Sequence, residues 1–173
     1  MSLHLLTRYG LTRATVGGGA AEPEYGILSI ASETTQNAQQ QCGYGFDKVG
    51  DQDCLGLRAR IAANTTLTLR LWRVSDEELL GSVDVTGTND RAWVEGLFST
   101  SVALTDDARY LVTLRQASGS SFTRINVGSG NYTLNTDRLT HAGLVNSSTD
   151  DYPGLDTTST SVFGVPDVVL AGA

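Results

Sequence analysis

The chain contains two histidines, His4 and His141, so imidazole acid–base chemistry has only those two residues to work with. A Ser-His-Asp assembly can be written from His141, Asp137 and any of several nearby serines. No Gly-x-Ser-x-Gly elbow or comparable frame accompanies it, and His141 therefore reads as a solvated loop residue. Adjacent carboxylates occur at Glu77 with Glu78, Asp106 with Asp107, and Asp150 with Asp151. A glycosidase needs two carboxyls facing each other across a cleft, whereas neighbours in a turn point apart and solvate the loop. Asp47, Asp51 and Asp53 alternate around Gly50, and the stretch from Asn146 to Asp151 is a second oxygen-rich loop. Hard oxygen ligands suit Ca²⁺, but the spacing lacks the twelve-residue loop with its closing Glu, so calcium enters only as an optional structural ligand and no metal residues are assigned. The chain reads as non-enzymatic.

Cys42 and Cys54 bracket a turn-rich segment across which a disulfide is geometrically feasible, while synthesis in the cytoplasm favours free thiols. Two cysteines without histidine neighbours fall short of the four ligands of a structural zinc site. Three aromatic residues are candidates for ligand contact. Trp72 falls opposite Leu67, Leu69 and Leu71 by strand alternation, so its indole is either presented outward or covered, with burial the stronger reading because strands usually pack their large aromatics. Tyr132 and Tyr152 lie in an irregular region and are better placed for an exposed contact, as in stacking on a sugar.

The elements that position these residues are strands. Apolar runs recur near 27–33, 42–47, 55–62, 66–74, 79–85, 92–98, 101–104, 109–116, 122–128 and 161–170, separated by Ser-, Gly-, Asp- and Asn-rich turns. In 66–74 the leucines 67, 69 and 71 share a face, and in 110–115 Tyr110, Val112 and Leu114 do the same. No window sustains helical periodicity, which predicts an all-β antiparallel sandwich, jelly-roll-like, with almost no helix. Residues 128–161 are the least regular and predict long loops with at most one short strand.

At 173 residues the chain is sized for one core. It carries 12 Lys and Arg against 19 Asp and Glu, and this net charge of −7 repels phosphate backbones, so nucleic acid is excluded as a partner. No stretch approaches the length of a membrane helix, and the start MSLHLLTRYGLTR lacks the apolar core of a secretory signal. The chain is thus expected to stay in the cytoplasm where it is made, which leaves the sequons at Asn64, Asn131 and Asn146 without a glycosylating compartment. Residues 1–26 differ from the sandwich domain expected over 27–173. Leu3, Leu5, Leu6, Tyr9 and Leu11 are apolar, Arg8 and Arg13 are cations, and a Gly-rich stretch at 17–21 reads as a linker. Such a segment is too short to bury its own leucines. It either docks on a partner through Leu3, Leu5, Leu6, Arg8, Tyr9 and Leu11 or supplies an edge strand to its own sheet.

Several motifs keep a recognisable order. They are GlyTyrGlyPhe at 43–46, LeuTrp at 71–72, LeuLeuGly at 79–81, Trp93 with Val94 and Phe98, ValAlaLeuThr at 102–105, TyrLeuVal at 110–112, TyrPro at 152–153 and AspValVal at 167–169. In this the chain resembles a bacterial β-sandwich domain of unknown function, often appended to secreted carbohydrate-active proteins. The resemblance implies a jelly-roll-like fold and a binding or spacer role without catalysis. The apolar arm and the missing signal depart from that pattern. A small unexported sandwich with a docking arm is also similar to accessory proteins of tailed-phage virions, to which the opening LeuLeuThrArgTyrGlyLeu bears a short likeness. The expectation is a virion structural or decoration protein, assembled in the host cytoplasm, bound to other virion proteins through its arm and oligomeric so as to cover its open sheet edges. The alternative is a carbohydrate-binding module using Trp72, Tyr132 or Tyr152 on a glycan, and a glycan hydrolase comes third.

Overall fold

In the computed structural model, residues 21–38, 41–89, 91–116, 122–149 and 151–172 are described; the arm residues Leu3, Leu5, Leu6, Arg8, Tyr9 and Leu11 lie outside them. All regular elements among the described residues are strands. They are β1 (Glu24–Tyr25), β2 (Ile27–Ile30), β3 (Thr34–Ala38), β4 (Gln41–Lys48), β5 (Gln52–Ile61), β6 (Thr66–Arg73) and β7 (Glu78–Thr86). After these come β8 (Ala92–Leu104), β9 (Arg109–Gln116), β10 (Phe122–Val127), β11 (Tyr132–Leu134), β12 (Leu139–Ser147), β13 (Val162–Phe163) and β14 (Pro166–Leu170). Every ladder is antiparallel.

Two main sheets face each other. One has the order β1-β14-β5-β8, the other β12-β4-β9-β6-β7, with the small sheets β13-β10-β3 and β11-β2 extending them. Alternation builds the layer between. Leu67, Leu69 and Leu71 of β6, Tyr110, Val112 and Leu114 of β9, and Leu57, Ala59 and Ile61 of β5 all enter one buried cluster, as period-two side chains on half-buried strands must. The turn from β6 to β7 carries Glu77 at φ 59°, a left-handed residue of the kind tight connections use.

Several sequence expectations change. The region 128–161 holds a nine-residue strand, β12, paired along β4 from Leu139↔Lys48 to Ser147↔Gln41, so it is part of a main sheet and not mainly loop. Its polar composition hid it because much of one flank pairs by backbone. The runs 92–98 and 101–104 form the single strand β8, whose register against β5 shifts between Gly56↔Leu97 and Cys54↔Val102. The run at 161–170 breaks at Gly164 and Val165, both with positive φ, into β13 and β14. The run 27–33 stops at Ile30, and the polar Thr34–Ala38 forms a separate strand against β10. The strand ladder also reaches back to Glu24, into the stretch the sequence assigns to arm and linker.

Candidate functional site

The densest polar chemistry lies where the arm meets the sandwich. Glu24 and Tyr25 pair with Leu170 and Val169 at the sheet edge. At Gly26 the chain passes so close to the core that a Cβ would lie 2.5 Å from Asp167 Oδ1 and 2.6 Å from Leu139 Cδ2, which leaves glycine as the residue that fits. The next amide, Ile27 N–H, donates to Asp167 Oδ2 at 3.0 Å. Asp167 is fully buried and also accepts from the Tyr44 hydroxyl at 3.0 Å and from Arg58 Nε at 2.9 Å. Arg58 Nη2 returns to the chain, donating to the Ile27 carbonyl at 2.5 Å. The guanidinium is held between two rings, 3.6 Å from the Tyr25 centroid and 4.0 Å from that of Trp93.

This network is closed on itself. Burial raises the Asp167 carboxyl pKa, opposed by the Arg58 charge and by the Ile27 and Val168 amides. Burial, with the neighbouring Asp167 charge, lifts the Tyr44 phenol well above its ordinary value. Outside this core, Glu24 pairs with Arg138 and accepts from Gln52, and the Gly26 carbonyl accepts from the Asn135 amide at 2.8 Å. Residues 24–27 are therefore tied to β14, β5 and the turn before β12. Sequence reasoning missed Tyr44, Arg58 and Asp167. The available signal was charge inside apolar runs, since Asp167 sits within ProAspValValLeu and Arg58 within LeuGlyLeuArgAla.

His141 is not a solvated loop residue. It lies on β12, stacked on Tyr44 with centroids 5.8 Å apart and planes at 10°, and tilted against Tyr132 at 6.1 Å. Burial lowers its pKa, partly offset by the nearby Ser161 backbone. Asp137 sits in the turn before β12, and it is burial, not a carboxylate, that shifts the His141 ring. Tyr132 is half-buried, and its hydroxyl donates to the Thr160 carbonyl at 2.6 Å. Its phenol is pushed up to about 12 by burial.

Trp72 points away from the main core, as alternation requires, yet it is buried. It forms a second apolar cluster with Leu111 and Val145, covered by Tyr152 and Leu155 from the segment after β12. The Tyr152 ring meets Trp72 edge-on at 6.0 Å and 76°. A hydrogen-bond chain holds the cover down. Trp72 Nε1 donates to Thr113 Oγ1 at 3.4 Å, Thr113 donates to Gln41 Oε1 at 2.8 Å, and Gln41 Nε2 donates to the Asp151 carbonyl at 3.1 Å. Two of the three candidate ligand aromatics thus meet each other, and Tyr132 lies apart beside His141. Trp72 offers no free ring face for a sugar.

The acidic turn is spent on internal bonds. Asp47 pairs with Arg109 at 2.6 Å, Asp51 accepts the Asp106 amide at 2.8 Å, Asp106 accepts the Gly50 amide at 2.6 Å, and Asp53 accepts the Ser101 hydroxyl at 3.0 Å. Among the described residues no group of three or more His, Cys, Asp or Glu is arranged to hold a metal ion. Cys42 and Cys54 are buried thiols not joined in a disulfide.

A concavity of mixed polar and apolar lining lies at the far edge of the sandwich. β7 and β8 are the last strands of their respective sheets and face each other there. The groove between them has a volume of about 480 Å³ and is lined by Leu80, Gly81, Leu97, Phe98 and Val102 with intervening serines and a threonine. Leu97 is 63% exposed and Leu79 42% exposed beside it.

No protein-family model matches this chain, and no curated protein matches it.

Proposed function

We propose that this chain is a non-enzymatic structural or decoration protein of a tailed-phage virion, anchored to other virion subunits through Leu3–Leu11 and presenting its sandwich loops outward. The observation that carries the reading is the arm root. Residues 24–27 are locked to β5, β14, β4 and the turn before β12 by Asp167, Arg58, Tyr44 and Arg138, so tension on the arm is delivered into the core and not to a frayed terminus. A charge network of this depth has weak justification as a source of stability, because an apolar replacement often serves as well, whereas fixing one geometry for a terminal segment is a use such networks have. The virion context rests on the resemblance of a small β-sandwich with an apolar basic arm to phage accessory proteins. The carbohydrate-binding alternative loses one of its three candidate aromatics with Trp72 under cover.

The test compares the full chain with a form beginning at Ala21, which keeps the Glu24 and Tyr25 ladder intact. Circular dichroism establishes that both are folded. Co-sedimentation with phage particles then has two outcomes. Arm-dependent pelleting supports anchoring; equal pelleting of both forms, or binding of both to a glycan array without any pelleting, refutes it.

A further inference from the structure

We propose that His141 is an acid-released latch: its neutral ring holds β11 and the connection 157–161 against the sandwich beside the arm root, and protonation lets those two segments open while the main sheets stay folded. The inference goes beyond the anchoring function and does not depend on it.

The latch is built from three rings and a strap. His141 stands on β12 across from Phe46, where the ladder to β4 shifts register before Gly143. Its ring stacks on Tyr44 with centroids 5.8 Å apart and leans on Tyr132 of β11 at 6.1 Å. Tyr132 in turn holds the connection between β12 and β13. Its hydroxyl donates to the Thr160 carbonyl at 2.6 Å, and the Thr160 hydroxyl donates to Ser129 Oγ at 2.6 Å. That connection is fixed at one end by the Leu144↔Asp156 bridge and at the other by the buried Val162, so Tyr132 fastens its middle. β11 is three residues long and its ladder runs to β2. So short a ladder, under a strap pinned by single hydrogen bonds, is a unit that can open by itself.

The slot suits a neutral imidazole and not a charged one. Both ring nitrogens of His141 are buried, and among the described residues neither makes a hydrogen bond. Tyr44 faces the ring from β4 and Tyr132 from β11, and burial raises both phenols, so both stay neutral in acid. Asp167 of β14 lies behind Tyr44 and is bonded to Arg58 of β5, to the Tyr44 hydroxyl and to the Ile27 amide. Further along β4, Asp47 pairs with Arg109 of β9, and the Lys48 ammonium donates to the Val49 and Arg138 carbonyls. In the turn before β12, Arg138 pairs with Glu24 and also feels Asp137. Residues 159–161 are Ser, Thr and Ser, and β2 and β13 carry no titratable group. A proton on His141 thus places a desolvated cation among rings and hydroxyls, which burial disfavours. The closed latch therefore binds the proton less readily than the open one. It holds above the ordinary imidazole value of 6.5 and loosens below it, by up to about tenfold per pH unit.

Amide hydrogen exchange of the full chain, read by mass spectrometry at pH 7 and pH 5 and corrected for the intrinsic pH dependence of exchange, tests this. The expected result is a loss of about 10-fold in the protection of β11 and of residues 157–161 at pH 5, with β6 and β9 unchanged. His141→Phe keeps a ring in the slot and removes the proton site, so both segments should stay protected at pH 5. Tyr132→Phe keeps the ring contact and removes the bond to Thr160, so residues 157–161 should lose protection already at pH 7. Unchanged protection of the native chain between the two pH values overturns the proposal. Equal acid deprotection in His141→Phe does so too, because another group then drives the opening, and so does simultaneous loss across β6 and β9, which is global unfolding. If circular dichroism shows His141→Phe unfolded, the imidazole proton signal of His141 in a His4→Gln chain decides. Titration below 6.5 supports the latch, and titration at or above that value overturns it.

Discussion

Replacing Arg58 by Met tests whether the arm root is held by charge. The substitution leaves a carboxylate with no exposure to water and only neutral donors, the Tyr44 hydroxyl and the Ile27 and Val168 amides. Removing one partner of a buried pair typically costs about 3–5 kcal/mol, because the remaining charge stays desolvated. Loss of the Tyr25 and Trp93 stacking adds to this, partly restored by the thioether in the same slot. Asp167→Asn retains an acceptor for Tyr44 but sets an amide against the Ile27 N–H or Arg58, a mismatch of about 2–4 kcal/mol. With both changes present no uncompensated charge remains, so the double variant should be more stable than the sum of the singles implies, by about 1–3 kcal/mol. Urea unfolding at pH 7 followed by circular dichroism gives all four free energies. A cost below about 1 kcal/mol for Arg58→Met, or strict additivity in the cycle, would refute the argument that this buried pair holds the root.

Three further outcomes are expected. Trp72→Ala should destabilise the fold by about 3 kcal/mol as the Leu111–Val145 cluster loses its largest member; an effect under about 1 kcal/mol would show that the cover does not seal it. His141 has a depressed pKa in the fold, so the unfolded chain binds the extra proton first. Stability contributed by the neutral ring is present above the unfolded value of about 6.5 and lost as pH falls through the folded one. His141→Gln should therefore flatten the fall in stability below that point in denaturation curves taken from pH 8 to 4, and identical slopes would contradict it. Burial pushes the Cys54 thiol up to about 12, so native protein at pH 8 should leave a disulfide reagent unreacted until urea unfolds it, and labelling within minutes would contradict its enclosure.

Much of the fold was legible because strand alternation is a local property. Leu67, Leu69 and Leu71 had to share a side whatever else the chain did, and so did Tyr110, Val112 and Leu114. The same rule placed Trp72 on the opposite face but could not say what lay over it. Its cover arrives from Tyr152 and Leu155, held by a hydrogen-bond chain through Thr113 and Gln41 that joins residues up to 110 positions apart. β3 and much of β12 escaped notice for a related reason. Their composition is polar, and their strand state is imposed by ladders to β10 and β4.

The arm root shows the limit of local reading most clearly. Charge within an apolar run marks Arg58 and Asp167 as unusual, but their meaning depends on Tyr44 and Ile27 converging on one carboxylate from strands 123 and 140 residues away. The sequence by itself determined an antiparallel β-rich body, the inward faces of its strands, its acidic charge and the amphipathic alternation of Leu3–Leu11. Tertiary structure alone decided which polar groups are buried, which aromatics are covered and which two edges stand open beside each other, because each of these depends on contacts between residues that no short window of the chain contains.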